Sequence, residues 1–127
     1  MALTGVDTVA VVVAERRRAL AWYRDVLGLR EAYVPPEVGH WIEVRPGRRG
    51  TRLHLGERGG TTQPGPTGVM LLTDNIRAER ERLRARGVRF LSEPKLEEWD
   101  EWLCSFVDPD GNEFDLKQPA PGEGGDE

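Results

Sequence analysis

Hydrophobic positions along the chain change period several times, and each change marks an element. Val6 to Val13 is β-branched and nearly continuously apolar, which predicts a strand with much of its surface buried. From Arg16 to Leu27 the apolar residues Ala19, Leu20, Tyr23, Val26 and Leu27 fall at helical spacing with arginines opposite. Gly28 follows as the residue that ends this helix. Leu29 to Val34 reads as a strand stopped by Pro35-Pro36, His40 to Val44 as another before the turn Arg45-Pro46-Gly47, and Thr51 to Leu55 as a third.

The order then repeats. Thr67 to Thr73 predicts a strand, Asp74 an N-cap, Asn75 to Arg86 a helix closed by Gly87, and Val88 to Leu91 a strand ending before Pro94. Trp102 to Val107 and Glu113 to Lys117 complete the set, joined by the tight turn Asp108-Pro109-Asp110-Gly111. In the last strand Phe114 and Leu116 share one face, and Glu113, Asp115 and Lys117 the other. At a shift of about 60 residues the halves match, the signature of an internal duplication. Gly28-Leu29 falls on Gly87-Val88, Trp41-Ile42 on Trp102-Leu103, Gly50 on Gly111, and Leu53-His54-Leu55 on Phe114-Asp115-Leu116. Each half is strand, helix and three strands, too small to bury its sheet alone, so the two are expected to pack and leave a cleft. The predicted division is 1–56 for the first module, 57–66 for a Gly/Pro-rich linker, 67–118 for the second module and 119–127 for a disordered tail.

Composition narrows the function classes. A formal net charge of −4 with 31% charged residues speaks against a general nucleic-acid binder. No stretch approaches the roughly 20 apolar residues of a membrane span, and Met1 to Gly5 lacks a basic and then apolar leader, so a cytoplasmic protein is expected. Cys104 is the single cysteine, which excludes an intrachain disulfide and predicts a buried structural thiol. The run Arg77-Ala78-Glu79-Arg80-Glu81-Arg82 mixes signs at helical spacing and reads as a solvated face. No phosphate-binding glycine loop and no nucleophile elbow occur.

Ala21-Trp22-Tyr23-Arg24-Asp25-Val26-Leu27-Gly28-Leu29 and Asp108 through Leu116 closely resemble motifs of the vicinal oxygen chelate superfamily. That superfamily includes glyoxalase I, bleomycin-resistance proteins, extradiol dioxygenases and fosfomycin-resistance enzymes. The resemblance covers Val6 to Gln118 and implies an α+β fold of two tandem βαβββ modules forming a cup-shaped cleft, in a protein that forms homodimers. It also implies metal-ligand positions on the first and last strand of each module. Here these hold Thr8, His54, Gly68 and Asp115, so the histidines usual at the first and third are replaced. A catalytic divalent metal wants three protein ligands and an open position. His54 and Asp115 are good donors, Thr8 is a poor one and Gly68 has none. The alternation of His40 with Ile42 and Val44 points it away from the cleft. A divalent metal on His54 and Asp115 therefore stays an alternative, and no cofactor is the first expectation.

Strand phase places Thr8, Ala10, Val12, Trp41, Glu43, Arg45, Arg52 and His54 in the cleft, with Trp102, Cys104, Phe106, Glu113 and Asp115 from the second half. The expected ligand contacts are Trp41, Arg52, His54, Trp99, Trp102, Phe106, Glu113 and Asp115. Aromatic faces with carboxylates, as in Leu96-Glu97-Glu98-Trp99-Asp100-Glu101-Trp102, favour planar or cationic small molecules. The same tryptophans would also suit a core or a dimer interface. The first reading is a small-molecule binding protein, similar to the metal-free, antibiotic-sequestering branch of the superfamily. The second is a metal-dependent lyase, isomerase or dioxygenase acting on vicinal oxygens through His54 and Asp115. Metal-free acid–base catalysis by His54 with Asp115 or Glu113 is a third. No catalytic residue is assigned.

Overall fold

The computed structural model describes residues 2–36, 41–57 and 63–121. Two compact units meet between Gln63 and Pro64. Together they give the predicted α+β fold with the βαβββ order in each half.

In the first unit, β1 (Thr8–Val13) leads into α1 (Arg16–Ala21), followed by β2 (Arg30–Tyr33), β3 (Glu43–Arg45) and β4 (Arg52–Glu57). The sheet order is β1-β4-β3-β2, with β1 parallel to β4 and the other neighbours antiparallel. Glu15 caps α1 by accepting from the backbone N–H groups of Arg17 and Arg18. The predicted helix to Leu27 is not uniform. From Trp22 to Val26 it widens to a π-helical turn in which the Leu27 N–H reaches the Trp22 carbonyl. Tyr23 and Leu27 are both buried, as are Val11, Val13, Leu53 and Leu55 of the sheet. Gly28, at φ 82°, ends it as predicted. Glu57, expected in the linker, is the last residue of β4, where its carboxylate accepts from the Arg16 N–H. Of the predicted strand from His40, His40 itself lies outside the described residues, as do 58–62 of the linker and 122–127 of the tail.

In the second unit, β5 (Pro66–Leu72) precedes α2 (Ile76–Ala85), β6 (Arg89–Phe90), β7 (Lys95–Leu96), β8 (Trp102–Val107) and β9 (Glu113–Gln118). The order is β5-β9-β8-β6, and β7 pairs with the other end of β8. β6 and β7 are thus one edge strand broken around Pro94, which cannot donate to a ladder. The cap of α2 is Asn75 and not Asp74. Asn75 has the extended backbone and accepts from the Ala78 N–H at 3.1 Å. Gly87 and Gly111, at φ 93° and 94°, occupy the positions of Gly28 and Gly50, at 82° and 91°, so the duplication extends to backbone conformation. The turn after β8 closes through Asp108, whose carboxylate accepts from the backbone N–H groups of Asp110 and Asn112.

Candidate functional site

On each sheet one face carries the core, and the polar groups of interest lie on the other. In the first unit Val11, Leu53, Leu55 and Val44 are buried beneath the helix. The opposite face follows from register, because Ala10 pairs with His54, Glu43 with His54, and Thr8 with Arg52. Here the phase predicted from sequence holds, and Trp41, Glu43, Arg52 and His54 come together.

Glu43 is the hub of this cluster. It is 5% exposed, a depth at which a carboxylate needs partners for its oxygens. One oxygen accepts from the Trp41 indole N–H and the other from Arg52 at 2.9 Å. The indole hydrogen bond, with help from the Arg52 guanidinium, holds the Glu43 carboxyl below its ordinary value against the opposing effect of burial. Trp41 in turn stacks on the His54 imidazole, with ring centroids 3.7 Å apart and planes inclined by 11°. The result is a tryptophan 46% exposed yet fixed through its N–H and through one ring face. His54 Nε2 is buried and has no hydrogen-bond partner among the described residues.

The other expected contacts are distributed differently. Glu113 and Asp115 lie on one face of β9, and the Ser105 hydroxyl donates to Asp115 at 2.8 Å. Trp102, Cys104 and Phe106 do not join them, which corrects the phase expected for β8. Val107 pairs with Glu113, Phe106 with Phe114, and Cys104 with Leu116, so paired residues put Phe106 and Cys104 in the core. Phe106 is 0% exposed and packs between Phe90 and Phe114, with centroids at 5.5 and 5.6 Å. It therefore fills the core and does not line a site. Trp102 lies on that same side, half-buried, with the Arg77 guanidinium 5.1 Å from its ring centroid. Trp99 sits 55% exposed in the loop before β8, next to Asp100 at φ 69°.

Cys104 is buried, and burial pushes its thiol up to about 11. We expect a disulfide reagent at about pH 8 to leave the native protein unmodified and to titrate one thiol in denaturant. Rapid reaction of the folded protein would contradict this placement.

Of the four positions where the family's metal enzymes carry ligands, Thr8 and Gly68 supply no good donor for a divalent ion. Among the described residues no group of three His, Cys, Asp or Glu side chains is placed to hold one. The Thr8 hydroxyl donates to Asp7, and His54 Nε2 lies buried. Gly68 sits at φ 75° in an irregularity where β5 shifts register against β9 between Pro66 and Met70. Histidine there would be strained, and the β5 residue opposite Asp115 is Met70.

A model of the Glyoxalase/Bleomycin resistance protein/Dioxygenase superfamily matches residues 5–116. The uncharacterized protein YetH of Bacillus subtilis (strain 168) is 31% identical over 119 residues, covering 89% of this chain and 97% of its own. Among solved structures, the antibiotic binding protein TnmS3 from Streptomyces sp. CB03234 superposes with a TM-score of 0.83 at 34% identity, covering 94% of this chain and 99% of its own. A member of the same superfamily from Sphaerobacter thermophilus DSM 20745 gives a TM-score of 0.82 at 28% identity, covering 91% and 97%.

Proposed function

The chain belongs to the Glyoxalase/Bleomycin resistance protein/Dioxygenase superfamily, and from that premise we propose that it binds a small organic molecule with a planar part, without changing it chemically. The site we assign is the face of the first sheet around Trp41, His54 and Arg52, and its role is antibiotic sequestration. One observation carries the reading: Trp41 is held in one pose by Glu43 and His54 while nearly half of it stays exposed. Large aromatic groups fixed before binding lose little freedom when a ligand stacks on them. A buried carboxylate committed to an indole N–H is costly unless the indole's pose matters. The likeness to TnmS3, an antibiotic binding protein, supports the same ligand class. In the second unit, taken by itself, we propose Trp99 with Glu98 and Asp100 beside it, and the Asp115–Glu113 face, as surfaces that favour cationic groups. The reading carries with it a cytoplasmic homodimer, which sedimentation would test as a doubled mass.

The experiment is a titration of the protein with bleomycin, with proflavine as a planar cation and with coumarin as a neutral planar probe. Tryptophan fluorescence and thermal shift are the readouts. Saturable quenching and a raised melting temperature for at least one probe are expected. Trp41→Ala and His54→Ala should each weaken that binding by about three- to tenfold, the worth of one stacked aromatic contact. Absence of any response from the wild-type protein would reject the reading.

A further inference from the structure

Gly56 lies in β4 two residues beyond His54, so both are on the face that carries Trp41. A Cβ added at Gly56 would stand 3.2 Å from His54 Cε1 and 3.7 Å from both ring nitrogens. The imidazole thus lies with Gly56 close on one side and the Trp41 indole stacked on it. The backbone does not call for glycine here, because Gly56 is absent from the positive-φ residues and keeps regular parallel register with Val12. Glycine inside a strand costs conformational entropy and contributes no packing, and its usual reason is close approach of another group. Here that group is the His54 ring.

We propose that Gly56 is the positioning residue of the Trp41–His54 pair, its missing side chain being the space that lets the imidazole lie flat and the indole stack on it. This rests on the reading of Trp41 as the binding surface. A methyl group at this position stands 3.2 Å from His54 Cε1, so the ring must give by a few tenths of an ångström, which disturbs its stack with Trp41. The side chain absent at position 56 therefore sets the depth and pose of the aromatic surface offered to a ligand.

Gly56→Ala tests this in two stages. In the ligand-free protein the His54 ring protons, shielded by the Trp41 indole in the wild type, should move toward their unshielded positions in the NMR spectrum. Affinity for whichever of bleomycin, proflavine and coumarin the wild type binds should fall about two- to tenfold, in proportion to the lost stacking. In a His54→Ala background the conflict is gone, so adding Gly56→Ala should leave affinity and melting temperature unchanged or raise the latter. Unmoved His54 ring signals in Gly56→Ala would overturn the assignment. Equal damage by Gly56→Ala with and without the imidazole, including failure to fold in both backgrounds, would overturn it as well. Moved ring signals in a protein whose wild type binds none of the three probes would leave the positioning role standing and reject the binding function alone.

Discussion

Glu43→Ala lowers folding stability by about 2–3 kcal/mol and abolishes the fixed pose of Trp41. A charge-assisted hydrogen bond worth about 1–2 kcal/mol is lost together with about 1 kcal/mol of side-chain burial. The ion pair adds little, because Arg52 is 38% exposed and water replaces its partner. Chemical denaturation measures the first effect, and the indole N–H signal of Trp41 reports the second. Glu43→Gln separates charge from shape and carries a pH signature. The folded Glu43 carboxyl titrates below its ordinary value, so its stabilisation is complete above the range where the unfolded residue titrates. That stabilisation is lost as pH falls through the depressed folded value. The glutamine variant should lack this component, so its stability gap from the wild type narrows on acidification. A constant gap down to strongly acid conditions would show that Glu43 is not the paired carboxylate described.

Phe106→Ala is the more damaging substitution, at about 3–5 kcal/mol, because it opens a cavity between Phe90 and Phe114. Set against a total stability of about 5–15 kcal/mol for a domain, that leaves a marginal protein. Urea unfolding should show a large fall in midpoint. The change also discriminates between the two places considered for Phe106. A residue lining a ligand surface would give an alanine variant near wild-type stability with weakened binding.

Sequence periodicity made most of the fold legible. The two helices, their closing glycines Gly28 and Gly87, and the matched Gly50 and Gly111 were readable because each is a local backbone requirement. The shared face of Glu43, Arg52 and His54 was readable for a similar reason. In β4 the alternation Leu53-His54-Leu55 assigns faces without ambiguity, and the position of Glu43 follows through its register with His54. β8 defeated the same logic. In Trp102-Leu103-Cys104-Ser105-Phe106-Val107 both alternating sets contain apolar side chains, so period two does not choose between them. The choice is made by the length of the Asp108–Asn112 turn, which sets Val107 opposite Glu113 and hence Phe106 opposite Phe114. That turn was visible, and counting pairs back from it would have put Phe106 in the core.

The central role of Glu43 was less accessible. Strand phase puts Glu43 on the face of His54, in the expected cleft, but does not show that its carboxylate is buried. Its burial depends on Trp41 and Arg52 converging on one carboxylate, a property of three separate positions. Gly56 carries a signal that sequence alone left unused: a strand glycine two residues from a histidine marks a site of close approach. The Gly68 position shows the reverse limit. It was readable as lacking a ligand, but its left-handed backbone within the β5 irregularity was not.

The most direct test of the account follows the Trp41 indole N–H by NMR during titration with bleomycin, proflavine and coumarin, its signal assigned through Trp41→Phe. We predict a saturable shift of the Trp41 resonance for at least one probe, with the probe recovered chemically intact. Shifts confined to Trp99 or Trp102, or conversion of the probe to a product, would contradict it.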